Sequence, residues 1–145
     1  MFFRPAEPAD YPEWLPMRAA LWSECPREVH LAEIRDYTST AELVAFVAGH
    51  EHLEGFVDAS LREIAEGCAT SPVGYIEGIY VRPECRRQGI GRALVAAAEE
   101  WAISRGCSEM ASDCLLENSE SEFFHRELGY SVVERLIHFR RALSR

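Results

Sequence analysis

The chain has 145 residues, 48% of them hydrophobic, which suits a single domain with one buried core. It carries 24 acidic and 15 basic side chains, for a formal net charge of −9. This balance disfavours nucleic acid as a partner, since phosphates require a basic face. It is compatible with an acidic cleft that attracts a cationic ligand and, equally, with an ordinary solubilising surface.

Hydrophobic periodicity, capping residues and turn residues predict alternating strands and helices along the whole chain. In chain order, the elements are an edge strand from Met1 to Arg4, a helix from Asp10 to about Leu21, a helix from Glu28 to about Tyr37, strands from Leu43 to Ala48, Leu53 to Arg62 and Tyr75 to Val81, a helix from Gly89 to Arg105, a strand from Ser108 to Asp113, a helix from Glu120 to Leu128, and one or more last strands from Ser131 to Arg140.

This order predicts one α/β (α+β) domain over residues 1–145, with a mixed central sheet and helices on both faces. Asp10 is expected to cap the first helix through its side chain, with Pro12 in the first turn. In the strand from Leu53 to Arg62, alternation predicts that Phe56, Asp58, Ser60 and Arg62 share one face.

Membrane, secreted and metal-binding classes are not favoured. No apolar run approaches the roughly 20 residues of a membrane span, and the N-terminus lacks signal-peptide anatomy, so a cytoplasmic protein is expected. The five cysteines are odd in number and form no Cys-x-x-Cys pair. His50 and His52 have no third ligand in view, and no metal site is expected.

The segment from Arg86 to Gly91 joins a predicted strand to a predicted helix. Gly89 and Gly91 allow a tight turn whose backbone N–H groups can approach a ligand closely. The following helix adds free N–H groups and the positive end of its dipole. The segment therefore predicts an anion cradle for a phosphate-bearing cofactor, although such glycines can also serve only as a turn. It is not a P-loop, because no lysine follows the glycines, and Leu94 replaces the third glycine of a dinucleotide fingerprint.

With its flanking residues, this segment resembles the acetyl-CoA motif of the GNAT superfamily of N-acetyltransferases. The family pattern is Arg/Gln-x-x-Gly-x-Gly/Ala after a strand that ends in Val-x-Pro, and Arg86, Gly89 and Gly91 match it in register. Other segments resemble the next family helix and, more narrowly, the aminoglycoside 6′-N-acetyltransferase branch. These are Asn118 to Tyr130 for the helix, and Trp22, Phe56 to Arg62, Glu109 to Asp113 and Glu134-Arg135 for the branch.

The resemblance implies transfer of an acetyl group from acetyl-CoA to a primary amine, the 6′-amine of an aminoglycoside, in a ternary complex and often in a homodimer. The alternatives are a GNAT enzyme for polyamine, peptide or protein amines, and a non-catalytic CoA-binding module. The implied cofactor-binding residues are Ile79, Tyr80, Val81, Arg86, Arg87, Gln88, Gly89, Ile90, Gly91, Arg92 and Asn118.

Two carboxylates are candidates for the chemistry, because an attacking amine must lose a proton. By alternation, Glu77 shares a strand face with Ile79 and Val81, and we expect it to act as general base. The competing interpretation is an exposed glutamate or a structural ion pair. Asp113 ends the next strand, where ligands gather in open α/β sheets, and is expected to face the same cleft as Glu77. It can also be explained as a turn cap.

Three further site residues rest on the resemblance. Glu134 matches a third acidic position of the branch, and its alternative is a solvated residue paired with Arg135. Trp22 is expected to line the substrate cleft, unless it is a core residue. His125 stands where many GNAT enzymes carry a tyrosine that protonates the leaving thiolate. Histidine can donate a proton near neutral pH, although a surface position would leave that task to water.

Overall fold

The fold is that of a computed structural model, which describes residues 2–144. The described chain forms two compact units, which meet in sequence between Asp113 and Cys114. The elements are strands β1 (Phe3–Pro5), β2 (Leu43–Gly49), β3 (Leu53–Arg62), β4 (Val73–Val81) and β5 (Met110–Ser112), and helices α1 (Tyr11–Leu21), α2 (Arg27–Ser39), α3 (Ile90–Ser104) and α4 (Ser119–Glu127).

The first unit holds one five-stranded sheet in the order β1-β2-β3-β4-β5. All neighbouring strands are antiparallel except β4 and β5, which are parallel and are connected through α3. The predicted mixed sheet is therefore confirmed. Among the described residues of the first unit, the predicted strand and helix positions hold to within a few residues, and Met1, where the predicted edge strand begins, lies outside the described residues.

Alternating side chains along β3 divide the sheet into two covered faces. Phe56 packs toward α1, where its ring centroid lies 6.4 Å from that of Trp14. Val57 and Ala59 are fully buried on the opposite face, which α3 covers with Leu94 and its neighbours. The predicted placement of helices on both faces is confirmed.

A β-bulge interrupts the pairing of β3 with β4. Asp58 pairs with Gly78, but the next residue, Ala59, pairs with Ile76, so Glu77 is an extra residue without a partner across the ladder. A bulge breaks strict alternation and re-aims the side chain of the extra residue. The expected shared face of Glu77, Ile79 and Val81 is therefore wrong, as the contacts of Glu77 also show below.

Asp10 does not cap α1 through its side chain, contrary to expectation. It ends a short 3-10 turn from Pro8 to Asp10, where its carboxylate accepts hydrogen bonds from the Glu7 N–H and from Arg4 at 2.7–2.8 Å. The carboxylate is used one turn earlier because an arginine on β1 competes for it. α1 keeps Pro12 in its first turn, where no N–H is required.

The second unit contains α4 and a C-terminal segment, residues 130–144, that forms neither helix nor strand. The strand expected from Ser131 to Arg140 is therefore wrong for the isolated chain. A strand needs a neighbour for its N–H and C=O groups, and the described residues of this segment have no ladder partner. Its apolar side chains are exposed, with Phe139 91% accessible and Leu143 90% accessible.

Candidate active site

The edge of β4 that faces β5 is only partly paired. β5 pairs with β4 from Gly74 to Ile76, and the ladder stops there. Beyond that point, β4 continues to Val81 with β3 on its other side. Within the first unit, the backbone of Ile79, Tyr80 and Val81 therefore presents polar groups along an open edge, where an extended ligand can form hydrogen bonds.

This open edge leads directly to the predicted cradle. Gly89 is the N-cap of α3 with a φ of 84°, and Arg87 has a φ of 63°. The residues on both sides of Gln88 therefore have a left-handed backbone conformation. The loop from Arg86 to Gly89 is exposed. No acidic side chain lies in the first turn of α3, and the N–H groups of any first turn lack intrahelical acceptors.

Arg86 is tied to the strand that it follows. Its Nε donates to the Val81 carbonyl at 2.8 Å, and its guanidinium lies 5.6 Å from the centroid of the Tyr80 ring. The tether fixes the path of the loop out of β4. The first helical turn and the exposed loop together form a positively polarised surface that suits a pyrophosphate.

Glu77 lies on the α1 face of the sheet and makes an ion pair with β3. Arg62 donates to Oε1 at 2.8 Å through Nη2, and to Oε2 at 3.0 Å through Nε and at 2.9 Å through Nη2. The Ser60 hydroxyl donates to Oε2 at 2.6 Å. The ion pair of the competing interpretation is thus present. It does not exclude a base, because Oε1 accepts only one hydrogen bond from the described residues and keeps a lone pair.

Asp113 is exposed at the end of β5 and accepts a hydrogen bond of 2.6 Å from the Tyr75 hydroxyl. Burial, then the hydrogen bond and charge of Asp113, raise the pKa of Tyr75 well above its ordinary value. Tyr75 therefore remains a donor, and Asp113 is held as its acceptor. β4 carries Tyr75 and Glu77 on the same side of the sheet, so this contact places Asp113 beside the Glu77 cluster.

Trp22 lies over Gly78, the residue after Glu77. A Cβ at Gly78 would meet Trp22 Cη2 at 2.2 Å, so only glycine permits this contact. The indole packs against Phe56 at 6.2 Å and over the Arg18 guanidinium at 4.8 Å. It is partly buried, so one part of the indole packs against the core and the rest is accessible.

Beneath Trp22, Arg18 forms ion pairs with the buried Asp58 on β3 and with Glu33 on α2. Burial lowers the pKa of Arg18, and the charge of Glu33 opposes that effect. Tyr37 lies over the same guanidinium at 5.7 Å. Burial first, and then the charge of Glu77, raise the pKa of Tyr37 far above its ordinary value. These contacts link α1 and α2 to the strands that carry the candidate base.

Sequence reasoning missed four of these residues as site neighbours: Arg18, Tyr37, Arg62 and Tyr75. For Arg62 a signal existed, because alternation placed it with Ser60 on one face of β3. Alternation alone does not identify Arg62 as a partner of Glu77, because only the bulge in β4 places the Glu77 carboxylate on the same face. For Tyr75, the contact with Asp113 follows from the parallel pairing of β4 with β5, which a strand pattern alone does not specify.

The remaining predicted residues belong to the second unit. Asn118 caps α4, where its Oδ1 accepts from the Ser121 N–H at 3.1 Å. His125 is half-buried and its Nδ1 lies 2.7 Å from the Ser121 carbonyl, which fixes Nδ1 as the N–H donor. Glu134 is exposed. Its suggested partner, Arg135, instead donates to Glu122 at 3.0 Å.

No metal centre or membrane helix is found in the part of the chain that the structure describes. Among residues 2–144, no three His, Cys, Asp or Glu side chains form a group that could hold a metal ion. No helix in the same range is long and apolar enough to cross a membrane. His52, one of the two histidines considered for a metal, lies 2.9 Å from Glu13.

The sequence has close relatives among curated proteins. It is 42% identical over 146 residues to an aminoglycoside N(6')-acetyltransferase type 1 of Klebsiella aerogenes, covering 97% of this chain and 95% of the relative. It is 38% identical to the protein of the same name in Salmonella typhimurium, covering 88% of this chain and 90% of the relative.

Solved structures show the same fold. The aminoglycoside N-acetyltransferase AAC(6')-Iy in complex with CoA superposes with a TM-score of 0.92 at 35% identity, over 98% of this chain and 95% of that chain. The same enzyme with a bisubstrate analogue, CoA-S-monomethyl-acetylneamine, gives a TM-score of 0.91 at 35% identity, over 98% of each chain. The sequence profile of the acetyltransferase (GNAT) family matches residues 2–130. With its cradle and open strand edge, the chain belongs to the GNAT family of acetyl-CoA-dependent N-acetyltransferases.

Proposed function

We propose that residues 1–145 form one catalytic domain that transfers an acetyl group from acetyl-CoA to the 6′-amine of an aminoglycoside antibiotic. The observation that carries the proposal is the position of Glu77. It is a half-buried carboxylate on the same strand, β4, whose open edge leads to the cradle. The curated relatives named for this activity support the choice of substrate.

The cradle and the open edge are suited to hold the cofactor. The segment from Arg86 to Arg92 would bind the pyrophosphate through N–H groups and guanidinium groups. The backbone of Ile79, Tyr80 and Val81 would hold the pantetheine arm and orient the thioester. The resemblance to the family adds Asn118 to the residues proposed for the cofactor. Bound in this way, acetyl-CoA supplies an activated acetyl group and leaves as CoA.

The candidate base acts on the substrate amine. An aliphatic amine is mostly protonated at neutral pH and must lose a proton before it can attack. Glu77 Oε1 would accept that proton, directly or through one water, as the new N–C bond forms and the C–S bond breaks. His125 would return a proton to the departing thiolate from its ring, and water is the alternative donor.

Acidic and aromatic side chains would hold the cationic substrate. Asp113 and Glu134 would attract its ammonium groups, and Trp22 would offer an aromatic surface for a sugar ring or for a cation. The chain has a net charge of −9, which favours the approach of a polycation.

Two further properties belong to the proposal. We infer a cytoplasmic location, because all five cysteines are free thiols and acetyl-CoA is an intracellular metabolite. We also infer a homodimer in which the segment from Ser131 to Arg140 finds its strand partner on a second copy. The support is the row of exposed apolar residues in that segment, which includes Val133, Ile137 and Phe139. Sedimentation equilibrium of the wild type and of Ile137→Asp would test the dimer.

The substrate is tested by an acetyl-CoA turnover screen that measures free thiol with aminoglycosides, polyamines and peptides. The acetylated position is then read from the product by NMR. Rapid thiol release with aminoglycosides and acetylation at the 6′-amine support the proposal. Turnover with peptides alone would show that the substrate class is wrong. CoA binding without turnover on any amine would indicate a non-catalytic module.

A further inference from the structure

Arg62 contacts one candidate carboxylate, Glu77, and the tyrosine that binds the other, Asp113. The edge of its guanidinium donates to both oxygens of Glu77 at 2.8–3.0 Å. Its central carbon lies 3.5 Å from the centroid of the Tyr75 ring, whose hydroxyl donates to Asp113 at 2.6 Å. One guanidinium thus touches Glu77 directly and reaches Asp113 through one tyrosine.

We propose that Arg62 is a positioning residue, which orients Glu77 as the base and, through Tyr75, orients Asp113 toward the substrate. The inference rests on the proposed function, since it assigns the roles of base and substrate contact to these two carboxylates. Only a planar guanidinium can present an edge to a carboxylate and a face to an aromatic ring at the same time.

Glu77 needs such support because it is the extra residue of a β-bulge. A regular strand residue is aligned by a partner on the next strand, and Glu77 has none. Ser60 and Arg62 together place three hydrogen bonds on Oε2 and one on Oε1. The oxygen with fewer partners is then the one directed to the substrate. A misplacement of about 1 Å at a reacting group can reduce the rate by roughly 100-fold.

Arg62 also moderates the charge of the site. Its positive charge neutralises Glu77, so the remaining carboxylates supply most of the attraction for a polycationic substrate. Partial burial acts to lower the pKa of Arg62, but the hydrogen bonds and charge of Glu77 raise it, with smaller effects of Tyr75 and Asp113. The cation is therefore retained at any working pH.

The orientation of Glu77 by Arg62 and the neutralisation of its charge together predict a pattern of kcat and KM changes that general disruption of the fold would not produce. Arg62→Met should lower kcat by on the order of 10- to 100-fold, because Glu77 loses its orientation. KM for a polycationic aminoglycoside should stay the same or fall, because the site gains negative charge while the methionine side chain still packs on the Tyr75 ring, whose hydroxyl keeps its hydrogen bond to Asp113. Affinity for CoA should not change. Loosened packing would instead raise both Michaelis constants.

Related variants separate the parts of the mechanism. Arg62→Lys keeps the charge but not the planar fork, and kcat should remain low. In Arg62→Ala, added guanidinium at concentrations far below those that unfold proteins should restore part of kcat. Tyr75→Phe keeps the ring under Arg62 but removes the donor to Asp113, so it should mainly raise KM for the aminoglycoside. Arg105→Met is the matched control, because Arg105 also stacks on an aromatic ring, Trp101, and donates to the Ala41 carbonyl.

The experiment measures steady-state kinetics and guanidinium rescue for these variants, with thermal unfolding as a check of the fold. A loss of kcat without a rise in aminoglycoside KM, restored in part by guanidinium, supports the inference. Wild-type kcat in Arg62→Met or in Arg62→Lys would overturn it, and so would a loss that guanidinium does not restore in a folded Arg62→Ala. A wild-type enzyme that ignores aminoglycosides would instead contradict the proposed function.

Discussion

The Trp22 indole packs directly against Gly78, and the contact leaves no room for a β-carbon at residue 78. An added Cβ would lie 2.2 Å from Cη2 and 2.3 Å from Cζ2 of the indole. Because Gly78 has no side chain, the Trp22 indole can pack against the residue that follows Glu77. The pair connects the end of α1 to the bulged part of β4.

Gly78→Ala should displace Trp22 and cost about 1–3 kcal/mol of stability, as over-packing commonly does. It should also raise KM for the aminoglycoside and leave that for acetyl-CoA unchanged. Trp22→Phe shortens the ring, so the double variant should be less destabilised than the sum of the single variants. Denaturant unfolding of the four proteins measures this coupling. Additive effects would show that the two residues do not constrain each other.

Glu77→Gln should lower the rate of acetyl transfer by on the order of 10²–10⁴-fold with CoA binding intact, since the amide cannot accept the proton. Pre-steady-state measurement is required, because slow product release can conceal a change in the chemical step. The control is Glu109→Gln, since Glu109 binds backbone N–H groups of an exposed loop. A loss below tenfold would reduce Glu77 to a structural role.

Gly89→Val should weaken CoA binding strongly, because a β-branched residue is strained at a φ of 84° and would obstruct the backbone of the cradle. Gly106→Val is a matched control. Gly106 has a φ of 88° and open space around the position of a Cβ, so it shares the backbone strain but lies at the other end of α3. Calorimetric titration with CoA compares the two. Equal affinities in folded proteins would contradict the cradle.

Neutralising Asp113 and Glu134 together, to Asn and Gln, should raise KM for a polycationic aminoglycoside far more than KM for a monoamine. The electrostatic attraction scales with the number of ammonium groups on the substrate. Added salt should weaken the preference of the wild type, because exposed charges are screened beyond roughly 8 Å at physiological ionic strength. An unchanged kcat/KM for aminoglycosides in the double variant would be incompatible with these roles.

Asp10 should stabilise the fold at neutral pH and not at acidic pH. The hydrogen bonds from Arg4 lower the pKa of Asp10, burial opposes them, and the Glu7 N–H lowers it further. A free Asp has a pKa of about 3.9, so the stabilisation is complete above that pH and is lost as the pH falls through the lower folded-state value. Asp10→Asn should therefore reduce the free energy of unfolding by about 2 kcal/mol at pH 7, and by progressively less toward pH 2.

Urea unfolding across this pH range provides the measurement. Asp36→Asn, at an exposed position of α2, is the control and should have a small effect at every pH. A penalty for Asp10→Asn that does not change with pH would mean that the ion pair with Arg4 is not the source of the stability.

Local sequence patterns predicted most of the first unit correctly, because each strand and helix there carries its own periodicity and end signals. The position of α3 followed from Gly89 and Gly106, and the shared face of Ser60 and Arg62 followed from alternation. Where the predictions were wrong, the deciding interaction was not local. The Asp10 carboxylate pairs with Arg4, which lies on another element. The predicted C-terminal strand has no partner within the described chain.

The side-chain direction of Glu77 could not be predicted for a similar reason. A bulge arises from the register between two strands, whereas a period of two residues is counted along only one of them. The ion pair with Arg62 is a consequence of that register. The second candidate carboxylate, Asp113, was correctly placed at a strand end, but its donor, Tyr75, depends on which strands are neighbours.

The bulge also makes the length of β4 critical, independently of its residue types. Deleting Gly78 would close the ladder and bring Glu77 opposite Asp58, which is buried and already paired with Arg18. Directly opposed side chains on antiparallel strands are only about 5 Å apart, so two like charges would face each other there. Every residue that touches Glu77 would still be present, yet its carboxylate would have a buried acid as its cross-strand neighbour. A substitution scan preserves chain length and would not reveal this dependence.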